Sequence, residues 1–221
     1  MAHPKSIEME FYVKIHILLL SLIMAIPLSA QSWEVGLFAG QQTYRSEVAP
    51  LPPQVVGPSK IMDSGSTIVI GVRLGKSIMD FGPGLLQLTL GYQPEATNTI
   101  QTSPAYSDPY YSSNYGPVDF KAAHASVGAM LNFKAFVACG AGVEYRFEKL
   151  NLDGSEATYN RPWARANVGV AIPSPVLKPF IGIEVDFPLS STSFSGSSSR
   201  ADFIRSLAPK GQIGINAGIR F

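Results

Sequence analysis

The stretch GQIGINAGIRF, residues 211 to 221, alternates without a break. In extended backbone, successive side chains point to opposite faces. Ile213, Ile215, Ala217, Ile219 and Phe221 therefore share one face, and Gln212, Gly214, Asn216, Gly218 and Arg220 share the other. One face is apolar out to a terminal aromatic ring. A soluble edge strand rarely leaves such a ring in water, so the surroundings of the apolar face become the question for the rest of the chain.

The same alternation recurs seven more times from Trp33 onward. SWEVGLFAG sets Trp33, Val35, Leu37 and Ala39 against Glu34, Gly36 and Phe38, and STIVIGVRLG sets Ile68, Ile70, Val72 and Leu74 against Thr67, Val69, Gly71 and Arg73. GLLQLTLGYQ places Leu86, Leu88, Leu90 and Tyr92 on one face, and AAHASVGAMLNF places Ala123, Ala125, Val127, Ala129, Leu131 and Phe133 opposite His124, Ser126, Gly128, Met130 and Asn132. FVACGAGVEYRFE, WARANVGVAI and FIGIEVDFPL repeat the pattern, with Glu144, Arg146, Glu148, Trp163, Arg165, Glu184 and Asp186 on the mixed face. Each segment covers about 9 to 12 residues, the length that a tilted strand needs to cross a bilayer.

Links between the segments alternate as well. Residues 41–64, 94–118, 149–160 and 190–209 read as long polar loops, while GKSIMDFGP, NFKA and PSPVLK read as short turns. Small and charged residues share one face, whereas the other carries no charge in any segment. A lipocalin-like soluble barrel would reverse this, with an apolar interior and a charged exterior. The expected fold is all-β: an eight-stranded antiparallel up-and-down transmembrane β-barrel with short periplasmic turns and long extracellular loops. Aromatics at segment ends, Trp33, Tyr92, Phe133, Tyr145, Phe147, Phe180, Phe187 and Phe221, fit interfacial girdles.

The start of the chain reads differently. Lys14 precedes the apolar run IHILLLSLIMAIPL and then SAQS, the pattern of a cleaved secretory signal. Residues 1–30 are expected to be that leader, cut after Ala30 or after Ser32, with Met9 as a possible true start and 31–221 as the barrel domain. An uncleaved anchor is the alternative, but the run is short for a span of about 20 residues and contains Pro27. The 221 residues are 46% hydrophobic and 15% charged, and the net charge of +1 points to no nucleic acid or other polyanionic partner. Cys139 is the only cysteine, which excludes an intrachain disulfide. His124 is the only histidine beyond the leader, and neither a metal nor a cofactor is expected.

Taken together, the eight segments and the terminal GINAGIRF resemble the OmpA- and OmpX-like family of eight-stranded outer-membrane barrels. The resemblance implies residence in the outer membrane of a diderm bacterium, with lipid and lipopolysaccharide as surroundings. It also implies that the C-terminal strand, through Ile213, Ile215, Ala217, Ile219 and Phe221, is read by the barrel-assembly machinery during insertion. The OmpA comparison covers the barrel only, with no peptidoglycan-binding domain.

An eight-stranded barrel is just wide enough for side chains to fill its interior. The expected lumen network comprises Arg73, Arg146, Arg165 and Arg220 with Glu34, Glu144, Glu148, Glu184 and Asp186. In a narrow, dry lumen such charges must pair, and Glu34 is expected to pair with Arg73 or Arg220 near one end. His124 and Ser126 share a face and resemble the His-x-Ser pair of an outer-membrane lipid A deacylase family. A serine nucleophile needs a base close enough to take its proton. The family's pair faces lipid, however, while this one shares the lumenal face with Gly128 and Asn132. The function expected is a non-enzymatic barrel with a plugged polar lumen and a structural or surface-interaction role. The alternatives are a lipid A-modifying barrel enzyme and a small-solute channel. Tyr106, Tyr110, Tyr111 and Tyr115, among Ser, Asp and Pro, offer a loop surface for a sugar or protein ligand.

Overall fold

The computed structural model describes residues 33–44, 65–101, 117–133, 137–172, 177–192 and 199–221. The expected leader and its cleavage site, the Pro-rich stretch after Tyr44 and the four loop tyrosines lie outside the described residues. Eight strands follow in chain order: β1 (Trp33–Tyr44), β2 (Gly65–Asp80), β3 (Gly84–Gln101), β4 (Pro117–Phe133), β5 (Ala138–Leu152), β6 (Ser155–Ala171), β7 (Lys178–Pro188) and β8 (Gly211–Arg220). Each pairs antiparallel with its sequence neighbour, and β8 pairs with β1 to close the barrel. At the seam Trp33 and Phe221 exchange backbone hydrogen bonds of 2.8 and 2.9 Å. Closure satisfies the backbone groups that an open sheet would leave along its edges.

Alternation sorts the side chains into an exposed apolar exterior and a buried interior. Leu37, Ile70, Val143, Val168, Ile183 and Ile215 point outward, while Phe38, Gln87, Arg146, Trp163 and Glu184 are buried. Of the aromatics expected at the interfaces, Tyr92, Phe133, Tyr145, Phe147, Phe187 and Phe221 are exposed. Trp33 is half-buried, with the Lys76 ammonium 4.7 Å from the centre of its ring. Phe180 is a correction. It shares the parity of Gly182 and Glu184 and turns inward, its ring lying over the cross-strand glycines Gly36 and Gly218. Phe38 covers Gly40 and Gly214 in the same way. A Cβ at Gly214 would lie 2.4 Å from the Ala39 carbonyl oxygen, so glycine is required where strands and rings approach this closely.

Five strands are longer than a bilayer crossing requires: β3 has 18 residues, β4 and β6 have 17 each, β2 has 16 and β5 has 15. Residues 149–160, expected to be a long loop, instead continue β5 and β6 as a hairpin. Its turn is Asp153–Gly154, at φ 48° and 81°. Two consecutive positive φ values define the type I′ turn, whose twist matches that of its flanking strands and which favours Asp-Gly. The Asn151 side chain accepts a 3.0 Å hydrogen bond from the Gly154 amide.

Along this extension the faces exchange character. On β5 the outward residues run Cys139, Ala141, Val143, Tyr145 and Phe147, and then Lys149; the inward ones run Glu144, Arg146 and Glu148, and then Leu150 and Leu152. The β5–β6 register is unbroken through the change. Outward Lys149 pairs with Glu156 at 2.9 Å and outward Lys121 with Glu95 at 3.3 Å, so a charged row bounds the apolar belt. At about 3.3 Å per residue and a tilt of about 40°, the belt from Cys139 to Phe147 is roughly 20 to 25 Å tall, the height of the apolar band of an outer-membrane barrel.

A third correction lies in residues 190–209, also expected to be a loop. They contain a helix, α1 (Arg200–Ser206), started by a reciprocal cap between Ser199 and Asp202. Its Phe203 and Ile204, with Leu207 and Ala208, are buried against Tyr44, Phe120, Leu150, Leu152 and Ala157. This apolar cluster sits among the strand extensions, at the end of the barrel that carries the loops.

Candidate functional site

The interior between the apolar cluster and the short turns holds the charged groups. At the turn end, Glu34 of β1 faces Arg220 of β8 across the closing seam. It accepts hydrogen bonds from Nε at 3.2 Å and Nη2 at 2.5 Å. Arg73, the other expected partner, is engaged elsewhere: its guanidinium bonds Glu184 and lies 3.5 Å from Asp186, both on β7. Strand tilt explains this reach, because residues on opposite walls meet in the middle of a lumen only a few side chains wide.

The centre is a continuous network. Glu184 also accepts from Arg165 Nε at 3.0 Å and from the Asn216 amide at 3.3 Å. Arg146 donates Nε to Glu144 at 2.5 Å, Nη2 to Asp186 at 2.6 Å and Nη1 to Gln212 at 2.7 Å, while its guanidinium lies 3.9 Å from the centre of the Trp163 ring. Arg165 Nη1 lies 3.8 Å from Glu144. Nearer the loop end, Gln212 donates to Gln93, which donates to Gln42, each at 3.2 Å.

Arg161 completes the set and was not expected from the sequence. It donates Nε and Nη2 to the two carboxylate oxygens of Glu148, at 3.0 and 3.2 Å, and Trp163 Nε1 donates to the same carboxylate at 3.1 Å. The signal was present, because Arg161, Trp163 and Arg165 share parity. A loop over 149–160, as expected from its polar residues, starts the strand too late to include Arg161. With Arg161 the four expected cations become five. They face five carboxylates, Glu34, Glu144, Glu148, Glu184 and Asp186, each within 4.0 Å of a guanidinium nitrogen. Charges this deep persist because every one has an opposite at hydrogen-bonding distance; stripping one partner from such a pair costs about 3 to 5 kcal/mol.

His124 and Ser126 are buried on the lumenal face of β4. The Ser126 hydroxyl donates to Glu144 at 3.4 Å, and with His124 it lines a cavity of about 10 Å³ beside Phe38, Arg73, Gln93 and Gln212. Among the described residues, no cluster of three or more His, Cys, Asp or Glu side chains has the arrangement of a metal site. A cavity of about 140 Å³ opens at the turn end, where Glu34, Asn167, Asn216 and Arg220 share the lining with Phe133 and Phe180. The stripe of Ile213, Ile215, Ala217, Ile219 and Phe221 runs down the outside of β8 to the same end.

No family model matches the chain, and a search of curated proteins found no match. Among solved structures, the chain is similar to the Neisserial surface protein A, at 15% identity and a TM-score of 0.48, covering 86% of this chain and 95% of that one. It is similar to Ail, the attachment invasion locus protein of Yersinia pestis, solved with the heparin analogue sucrose octasulfate, at 11% identity and a TM-score of 0.45 (86% and 99% covered). A major outer membrane protein from Thermus thermophilus aligns at 13% identity and a TM-score of 0.48, over 86% of this chain and 98% of that one.

Proposed function

We propose that this chain is an integral protein of the bacterial outer membrane: a closed barrel with a plugged polar lumen, non-enzymatic, serving envelope structure and surface contact through its loops. The observation that carries the reading is the exterior. An apolar belt surrounds the barrel and gives way to the outward charged row at Glu95, Lys121, Lys149 and Glu156, as expected where lipid ends and water begins. Lipid and lipopolysaccharide are its surroundings, and the stripe ending at Phe221 is its signal to the assembly machinery.

The paired arginines and carboxylates, stacked beneath an apolar cluster, support a plug over a solute channel. The lumenal position of His124 and Ser126 speaks against a lipid A-modifying enzyme, since that substrate lies in the membrane outside the wall. The tests are membrane fractionation of the full chain expressed in a diderm host, single-channel recording of purified protein in planar bilayers, and mass spectrometry of lipid A from expressing cells. Recovery in the outer membrane with no conductance and unmodified lipid A is the expected result. Steady conductance would establish the channel instead, and deacylated lipid A the enzyme.

A further inference from the structure

The buried guanidinium of Arg161 does more than neutralise Glu148. Its Nη2 also donates to the Pro209 carbonyl at 2.6 Å, and its Nη1 to the Ser190 carbonyl at 3.5 Å. Ser190 lies just after β7 and Pro209 just before β8, so one side chain holds both ends of the β7–β8 connection against the barrel wall. We propose that α1 and the residues after it form a separable cap over the loop end of the lumen, and that Arg161 is the latch that keeps it shut.

Three features fit a latch better than simple packing. The guanidinium is held rigidly, by two bonds to Glu148 and by the Tyr159 and Trp163 rings, whose centres lie 4.7 and 4.9 Å away. Such a fork presents its remaining donors in a fixed direction. The cap itself is small: the few apolar side chains of Phe203, Ile204, Leu207 and Ala208 must offset the ordering of the whole segment. The cap also touches a different layer from the one that holds the barrel together, since its apolar cluster lies beyond the chain of Gln42, Gln93 and Gln212. Losing Arg161 takes the guanidinium donor from two backbone carbonyls at the hinge of the connection and leaves the Glu148 carboxylate with the Trp163 indole, and it frees the cap while the strand ladder stays paired.

The test uses the full chain, inserted in lipid vesicles, with Cys139→Ser as background and Leu207→Cys as reporter, because Leu207 is buried in the cap. A charged, water-soluble thiol reagent is expected to label this cysteine slowly, and roughly tenfold or more faster once Arg161→Gln is added, as follows from losing several hydrogen bonds to a charged donor. Hydrogen exchange of the strand amides should not change. A labelling rate within about twofold of the parent, or strand amides that open in step with the cap, would overturn the proposal. Should Arg161→Gln fail to insert, native-state hydrogen exchange on the unsubstituted chain decides. The Phe203, Leu207 and Ala208 amides, bonded to Ser199, Ile204 and Arg205, should exchange through an opening distinct from and more frequent than that of β5. One shared opening for both would equally overturn it.

Discussion

The middle of the lumen and the cluster beneath α1 are both buried, yet they are held by opposite chemistry, and the same two strands build both. Within the apolar belt, β5 and β6 send Val143, Tyr145 and Phe147 outward and Glu144, Arg146, Arg161 and Arg165 inward. Beyond the belt they send Lys149 and Glu156 outward and Leu150, Leu152 and Ala157 inward. The register does not change at the boundary. With the wall in the outer membrane, as proposed, what changes is the solvent of the outer face. Where lipid covers the wall, apolar residues belong outside and the interior takes the polar ones; where water covers it, the usual order of a soluble protein returns. The difference teaches that polarity here is set by what lies outside the wall, not by depth within the molecule.

The largest test of this contrast is Arg146→Met. It removes a fully buried cation from Glu144 and Asp186 and should lower unfolding stability by about 3 to 5 kcal/mol, measured by urea titration in vesicles. A loss below about 1 kcal/mol would mean that water reaches the lumen freely enough to solvate the two carboxylates. Next in size is the outer face. Val143→Arg should cost about 2 to 4 kcal/mol, as for a cation at the middle of a lipid-facing wall. Lys149→Val, one turn of the alternation past the boundary, should leave the urea midpoint unmoved. Equal penalties at the two positions would erase the boundary.

Smaller effects sharpen the ends. Glu34 and Arg220 retain 17% and 25% side-chain exposure, so solvent screens them. A double-mutant cycle with Glu34→Gln and Arg220→Gln should give a coupling of about 1 kcal/mol, well below that of the Arg146 pairs, and no coupling would show a pair without structural weight. In the cap, hydrogen bonds from Ser199 and then Arg205 hold the Asp202 carboxyl below the usual aspartate range. A depressed folded-state pKa stabilises the helix start above the ordinary value of about 4 and loses that contribution as pH falls through the lowered one. Exchange of the Phe203 amide should therefore rise below about pH 4 while exchange in β5 does not. An Asp202→Asn chain, which cannot titrate there, should lose the pH dependence.

Much of the fold was legible because alternation is a local property. Each segment declares its own two faces, and eight such declarations with alternating link lengths leave few topologies. The long β5–β6 hairpin was missed for a definable reason. Alternation with apolar residues on the wall and polar ones within ends where its sense reverses, although LNLDGSEATY carries both the alternation and an Asp-Gly turn. Arg161 was lost with it. Phe180 departs from the expectation because its parity with Gly182, and not its aromatic character at a strand end, decides its face.

The sequence by itself determined that eight strands form, which residues face the lumen, and that the acids and bases there nearly balance, since all three follow from side-chain order along a strand. Only the tertiary structure decided which acid meets which base, that Arg73 reaches Glu184 and Asp186 across the barrel while Arg220 alone stays with Glu34, and that one guanidinium clasps both ends of the β7–β8 connection. Those partners lie as many as 186 residues apart in the chain. Their meeting depends on the tilt and closure of the wall, which no single strand encodes.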